Sequence, residues 1–218
     1  MPADLIHLVR HGEVFNPEGI LYGRIPGYHL SDLGVRMAAS AAASLSGRDI
    51  TALYASPLQR AQESAAPWSA DFGLPIVTEE RIIEPWNKFE GKKFEFGPGV
   101  LLRPRVWPWV VNPTKPSWGE PFVSVEARML AAVGDAWERA DGGEVVMVSH
   151  QMPIVMVARS VKNLKLYHDP RKRRCTLSSI TTLRRSQGPD GEWGRFVEVN
   201  YQDPAKDLLA ASVDFGAV

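Results

Sequence analysis

The stretch Asp4-Leu5-Ile6-His7-Leu8-Val9, followed at once by Arg10-His11-Gly12-Glu13, decides the fold of this chain. The aliphatic, partly β-branched run is short and begins close to the N-terminus, which predicts a buried strand at the centre of a parallel sheet. Ligands of open α/β sheets bind beyond the carboxyl ends of the strands. Because Arg10 and His11 follow the run directly, we expect both side chains at such a binding edge.

The composition indicates a single domain with balanced charge. The 218 residues are 44% hydrophobic, which suits one domain with residues 79–122 as an inserted segment. With 25 basic and 25 acidic residues, we expect neither nucleic acid nor a membrane surface as a partner. The single Cys175 fits a reducing compartment. Because we see no signal-peptide pattern and no apolar run of membrane-spanning length, we expect a cytoplasmic location.

Strand-like and helix-like segments alternate along most of the chain, which predicts a three-layer α/β/α sandwich with a mostly parallel central sheet. After the first run, we predict strands over 51–55, 75–78 and 144–149, helices over 31–45, 56–73, 124–140 and 151–161, and a closing hairpin formed by 176–184 and 195–201. Ser56 is expected to cap the second helix, with Pro57 at its first position. The tail from Pro204 is expected to pack loosely.

The segment 79–122 interrupts this alternation. It is rich in proline and glycine and contains four tryptophans, Trp86, Trp107, Trp109 and Trp118. We expect a cap over the carboxyl ends of the strands, partly helical over 99–111. Pro104 and Pro108 would kink or break a helix there.

Three predicted strand ends carry residues suited to chemistry. Arg10-His11 ends the first strand, Ser56-Pro57-Leu58-Gln59-Arg60 follows the second, and His150 ends the strand over 144–149. If these strands are parallel neighbours, two imidazoles and two guanidiniums converge on one pocket. Such a set is costly to desolvate without an anion, and a dianionic phosphoryl group would fit it. Helix N-termini after Ser56 and His150 would add backbone donors.

These motifs, in this order, resemble the histidine phosphatase superfamily, in its phosphoglycerate-mutase-like group. The runs that carry the resemblance are Leu8-Val9-Arg10-His11-Gly12-Glu13, Ala55-Ser56-Pro57-Leu58-Gln59-Arg60-Ala61, the region of Glu84, and Val148-Ser149-His150. The likeness extends from the first strand to about Ile154. It implies a phosphoryl-transfer enzyme that needs no cofactor and no metal ion, because arginines supply the positive charge.

The resemblance also implies roles for individual residues. His11 would attack phosphorus and become a phosphohistidine, Arg10 and Arg60 would hold the equatorial oxygens, and His150 would stabilise the transition state. Asn16 and Gly23 are expected in the substrate site. Gly12 is expected to let the chain turn and leave room for the phosphate.

The leaving group needs a proton from a carboxylic acid at the rim of the pocket. Glu84 is our choice, because the segment 81–91 resembles the part of the family that carries the acid. Glu90 and Glu13 are the alternatives. We interpret Glu90 as holding its loop and Glu13 as a structural carboxylate.

Three functions remain open at this point. The first is a metal-independent phosphomonoesterase acting on a small phosphorylated metabolite, such as a sugar phosphate or a nucleotide. The second is a phosphoglycerate mutase; residues 89–115 lack the Tyr-Gly segment with a paired arginine that such mutases carry, which favours the phosphatase. The third is a binding module without activity, which the complete set of Arg10, His11, Arg60 and His150 makes the weakest of the three.

Overall fold

A six-stranded mixed sheet lies at the centre of the protein in the computed structural model, which describes residues 1–93, 119–188 and 190–214. The strands are β1 (Leu5–Arg10), β2 (Ile50–Ala55), β3 (Ile76–Thr78), β4 (Glu144–Ser149), β5 (Ile180–Gln187) and β6 (Trp193–Gln202). They lie in the order β3-β2-β4-β1-β5-β6. The first four are mutually parallel, whereas β5 pairs antiparallel with β1 and β6 pairs antiparallel with β5. The mostly parallel sheet with β1 inside it is confirmed.

Helices cover both faces of the sheet. Within the described ranges the α-helices are α1 (Asp32–Ala43), α2 (Gln59–Phe72), α3 (Phe122–Arg139) and α4 (Gln151–Ser160). The side chains of β4 alternate between two cores: Val145 and Met147 pack with α3 and α4, and Val146 and Val148 pack with α1 and α2. Since successive strand residues point to opposite faces, this alternation produces the expected three layers.

The start of α2 differs from the sequence prediction. Leu58, and not Ser56, is the N-cap residue, and its side chain makes no capping hydrogen bond. The Ser56 hydroxyl lies 2.7 Å from His150 Nε2 and accepts only a long, 3.4 Å bond from the Leu58 amide. The serine contacts the neighbouring strand end because β2 and β4 are adjacent.

The start of β5 is also later than predicted. The sequence predicts a strand from 176, but the strand begins at Ile180. Ser178 adopts a left-handed conformation, with φ of 56°, and its amide donates to the His11 carbonyl at 3.3 Å. A residue in this conformation does not continue a strand, so the turn before β5 packs against the end of β1 instead.

The C-terminal tail packs more closely than expected. A 3₁₀ helix spans Lys206–Ala211, and Ala205 before it is buried with Met37 and Leu177. Beyond it, the Val213 amide donates to Glu13 Oε1 at 2.6 Å. The tail therefore reaches the loop that follows β1, because its apolar residues cover part of the core beside α1.

The proposed cap is described only at its two ends. Asn87 pairs with Gly119, which brings the two ends together, and Lys93 pairs with Ile20, which joins the first end to the loop after β1. The predicted helix over 99–111, with Pro104 and Pro108, lies outside the described residues. In the parts of the chain that the structure describes, no helix has the length and apolarity needed to cross a membrane.

Candidate active site

The site forms where three adjacent parallel strands end. Arg10 is the last residue of β1, Ser56 follows β2, and His150 follows β4. The His11 amide donates to Ser149 O at 3.0 Å and the Ser56 amide to Val148 O at 2.9 Å, so the sheet continues one residue beyond each strand. The ring centroids of His11 and His150 are 5.1 Å apart. The structure therefore brings the two predicted histidines together at one edge.

His11 has no hydrogen-bond partner at its Nε2 atom among the described residues. Its side chain is buried, and Nδ1 lies 2.7 Å from the Gly12 carbonyl. A carbonyl oxygen can only accept, so Nδ1 carries the proton and Nε2 carries the lone pair. Burial, and then the charges of Arg60 and Arg10, lower the pKa of His11 well below its usual value. Nε2 is thus available as a nucleophile.

Gly12 permits close packing at the end of β1. Its φ is not positive, but a Cβ at this position would lie 2.4 Å from the carbonyl oxygen of Gly34 in α1. A Cβ on Gly34 would in turn meet Glu13 O at 2.0 Å. The Gly12 amide donates to Ser64 Oγ of α2 at 3.0 Å. The pair of glycines lets α1 approach the end of β1.

The Arg10 guanidinium is fully buried at the end of β1. Its Nη1 donates to the Cys175 carbonyl at 2.8 Å, and Nη1 and Nη2 donate to the two Asp214 carboxylate oxygens at 2.8 and 2.5 Å. Burial lowers the pKa of Arg10, but the Asp214 charge outweighs burial and the net shift is upward. A two-oxygen anion from the tail therefore occupies the fork of this arginine.

Arg60, in the first turn of α2, is the second buried cation. Its Nη2 donates to the Gly23 carbonyl at 2.8 Å, and its guanidinium lies 4.7 Å from the centre of the Tyr22 ring. Burial lowers the pKa of Arg60 despite the neighbouring Tyr22 and Glu84. Its Nε finds no acceptor among the described residues, and neither does the Nε of Arg10. The predicted arginine pair thus keeps unused donors.

Gly23 positions Arg60 through its backbone. Its φ is 40°, and a Cβ there would lie 2.2 Å from Glu90 Oε1. The same Glu90 oxygen accepts from the Asn87 amide at 3.0 Å. Glu90 therefore holds its own loop against Gly23, in line with our interpretation of it.

Glu84 is the carboxylate that lies beside the histidines. It is buried, and its Oε2 is 3.6 Å from His150 Nδ1, too long for a hydrogen bond. Burial raises the pKa of Glu84 to about 7, although Arg60 and Arg10 oppose this. The alternative Glu13 is engaged elsewhere: Ser31 Oγ and the Val213 amide donate to its two oxygens. Glu84 can therefore supply or take up a proton near neutral pH.

Asn16 lies in the loop after β1, where its side chain bonds its own loop. Its Nδ2 donates to Ile20 O at 2.9 Å, and its Oδ1 accepts from the Ile20 amide at 3.0 Å. Asn16 lines a cleft of about 420 Å³ whose lining residues include neither histidine. Its role in substrate binding stays a prediction.

Two neighbours of the site are not anticipated by the sequence analysis. The sequence predicts Ser56 as a helix cap, although its place in the Ser-Pro-Leu-Gln-Arg run could have suggested a role at the strand end. Asp214 has no such signal, because it follows an alanine-rich tail some 200 positions after Arg10. Only the path of the tail over the sheet edge reveals it.

Comparisons with known proteins agree with this geometry. The family model of the histidine phosphatase superfamily (branch 1) matches residues 6–193. An uncharacterized protein of Mycobacterium tuberculosis (strain ATCC 25618 / H37Rv) is 50% identical over 206 residues, 94% of this chain and 99% of that protein. A probable phosphoglycerate mutase of Yersinia pestis (strain Pestoides F) is 28% identical over 80% of this chain and 83% of its own length.

Among solved structures, a mycobacterial glucosyl-3-phosphoglycerate phosphatase superposes with a TM-score of 0.71 at 25% identity. The superposition covers 89% of this chain and 96% of that one. The family match, the shared fold and the converging arginines and histidines lead to one conclusion. This chain belongs to the histidine phosphatase superfamily, branch 1.

Proposed function

We propose that the protein is a metal-independent phosphatase that hydrolyses a small phosphomonoester through a phosphohistidine intermediate. The observation that carries the proposal is the geometry of His11, a buried imidazole that lies beside the buried Arg10 and Arg60 and whose Nε2 has no hydrogen-bond partner among the described residues. Two fixed cations attract a phosphate dianion and neutralise the charge that spreads over its oxygens during transfer. A metal ion would be repelled by the same two cations.

The proposed reaction has two steps. In the first, His11 Nε2 bonds to phosphorus, the P–O bond to the leaving group breaks with its electron pair on that oxygen, and Glu84 gives it a proton. In the second, water attacks the phosphohistidine, the carboxylate of Glu84 takes a proton from that water, and the P–N pair returns to Nε2. Arg10, Arg60 and His150 hold the transferring group throughout.

The contact between Asp214 and Arg10 is evidence for where the phosphoryl group would bind. Asp214 presents two oxygens to Arg10 in a bidentate pair, and phosphate makes the same kind of pair with arginine. A phosphomonoester bound at this arginine would take the place of that carboxylate.

The comparisons support both enzyme classes, and the residues favour hydrolysis. One relative is called a probable phosphoglycerate mutase and one solved neighbour a phosphatase. Residues 89–115 lack the Tyr-Gly segment with a paired arginine that is typical of a mutase. Hydrolysis also requires that water reaches the phosphohistidine.

The test follows substrates by phosphorus NMR. We expect free phosphate from p-nitrophenyl phosphate and from at least one compound in a panel of sugar phosphates and nucleoside monophosphates. His11→Asn should abolish release and the acid-labile phosphoenzyme, whereas His29→Asn, a histidine of the outer loop, should retain both. Rapid conversion of 3-phosphoglycerate to 2-phosphoglycerate without free phosphate would identify a mutase instead.

A further inference from the structure

A buried hydrogen bond joins the ends of β2 and β4. Ser56 Oγ lies 2.7 Å from His150 Nε2, and both residues are fully buried. Ser56 has no role in the two-step reaction proposed above, and it does not cap α2 as the sequence predicts. The bond therefore needs its own explanation.

Donor and acceptor accounting gives the direction of this bond. The Leu58 amide can only donate, so it occupies a lone pair of Ser56 Oγ. Within the described residues, the one acceptor in reach of the serine hydroxyl proton is His150 Nε2. If Nε2 carried the proton instead, the hydroxyl proton and the Nδ1 lone pair would both be buried without a partner among the described residues, whereas a proton on Nδ1 leaves that N–H as the single unpaired group. The serine therefore donates, and His150 carries its own proton on Nδ1.

The Nδ1 atom of His150 has no hydrogen-bond partner among the described residues. Glu84 Oε2 lies 3.6 Å from this atom, and the ring centroid lies 5.1 Å from that of His11. This buried N–H lies at the edge where a phosphoryl group would bind. It is therefore available to donate a hydrogen bond to that group.

We propose that Ser56 is a positioning residue that fixes the tautomer of His150 and thereby aims the Nδ1–H of that ring into the phosphoryl site. The catalytic consequence rests on the proposed function. The tautomer itself does not, since it follows from the hydrogen bonds of the resting protein.

The backbone holds both partners firmly enough for this role. The Ser56 amide donates to Val148 O at 2.9 Å, and the Ser56 carbonyl accepts from Gln62 Nε2 at 2.8 Å. His150 is the N-cap residue of α4, and its carbonyl accepts from the Ile154 amide. The sheet and two helix starts thus set the distance between hydroxyl and imidazole.

The first experiment is nitrogen NMR of the isotope-labelled wild-type protein at pH 7.5, with His150 signals assigned by comparison with His150→Gln. We expect a pyrrole-type Nδ1 and a pyridine-type Nε2. The opposite pattern, with the proton on Nε2, would overturn the proposal. If the expected pattern appears in a protein without phosphatase activity, the proposed function fails and the role of Ser56 stands.

Variants supply the second test. Ser56→Ala should mix the two tautomers in the spectrum and lower kcat by about tenfold to a hundredfold with little change in KM, and Ser56→Thr should restore both. The matched control is Ser149→Ala, which removes a buried hydroxyl bonded to Ile82 O at 2.7 Å, one residue before His150. We expect it to leave the tautomer and kcat unchanged. An unaltered His150 spectrum in Ser56→Ala contradicts the proposal.

Discussion

The two histidines of the site both carry their proton on Nδ1, yet they present opposite groups to the site, a lone pair in one ring and an N–H in the other. In His11 the Nδ1–H is used by the Gly12 carbonyl, which turns the lone pair of Nε2 to the site. In His150 the Nε2 lone pair is used by Ser56, which leaves the Nδ1–H for the site. In the proposed reaction one ring attacks and the other donates, and the difference lies in the hydrogen-bond partner of each ring.

Glu84→Gln tests the acid at the residue scale. Because burial raises the pKa of Glu84 to about 7, the protonated acid is lost as pH rises through 7, and hydrolysis of an alkyl phosphate should fall there. In Glu84→Gln that alkaline limb should vanish, with kcat down about 10²- to 10⁴-fold on the alkyl ester. The measurement is kcat against pH for alkyl and p-nitrophenyl phosphates.

Comparing esters with different leaving groups distinguishes the loss of proton donation from other effects of Glu84→Gln. p-Nitrophenolate needs little help from an acid, so Glu84→Gln should cost far less on that ester. Glu13→Gln, in a carboxylate that bonds Ser31 and Val213, should show no such dependence on the leaving group. An equal loss on both esters would assign Glu84 to binding.

Arg60→Lys tests the arginine account, also at the residue scale. A lysine cannot keep the bond to the Gly23 carbonyl and also present a planar fork to phosphate. We expect kcat/KM to fall by about a hundredfold, while a chelator leaves the wild-type rate unchanged. Arg48→Lys is the matched control, because Arg48 pairs with Glu144 at the opposite end of the sheet. Strong inhibition by the chelator would contradict the proposal.

At the scale of elements, the approach of α1 to the end of β1 depends on two glycines. A Cβ on Gly12 would meet the Gly34 carbonyl at 2.4 Å, and backbone atoms cannot move aside as a side chain can. Gly12→Ala should therefore lower the free energy of unfolding by about 1–3 kcal/mol and displace His11. Urea unfolding and kcat/KM measure the two effects.

Gly134→Ala provides the comparison for that measurement. Gly134 lies inside α3, and a Cβ added at this position would meet no described atom within 4 Å apart from its own helix backbone. The same substitution should stabilise the protein there by about 0.5–1 kcal/mol, since alanine favours helix. If both variants behave alike, the contact with Gly34 does not control the site.

At the scale of the whole molecule, the last described residue meets the first strand. In the proposed reaction, a phosphomonoester displaces the Asp214 carboxylate from Arg10. Asp214→Asn should therefore lower the inhibition constant of inorganic phosphate by about two- to fivefold, as expected for a partly exposed ion pair. Asp207→Asn, in the same tail, should have no effect. Weaker phosphate binding in Asp214→Asn would mean that the tail supports the site.

Stability should depend on pH through several buried groups. Burial lowers the pKa of His7, His11 and His150 below 6.5, so below that pH the unfolded chain binds more protons than the folded one. Glu84, with its pKa raised to about 7, acts in the opposite direction. Because three histidines oppose one glutamate, the free energy of unfolding should fall from pH 7 to pH 5. Urea unfolding checks this, and Glu84→Gln should steepen the slope.

The local pattern of the chain was sufficient for much of the fold. An apolar run ending in Arg10-His11 identified β1, and Gly73 with φ of 66° ends α2 where the sequence predicts. The alternation of strands and helices predicted three layers, because the period of apolar residues reports directly on burial. The roles of the site residues, in contrast, remain predictions: His11, Arg10, Arg60, His150, Glu84, Asn16 and Gly23.

By itself the sequence determined which elements form and which side chains stand at the strand ends, because these depend on neighbours a few positions away. The tertiary structure alone decided the partners: Ser56 for His150, Gly34 for Gly12, and Asp214 for Arg10. A buried polar group bonds whatever the packing brings within 3 Å, and packing joins residues that lie 22 to 204 positions apart in this chain. No local pattern carries that information.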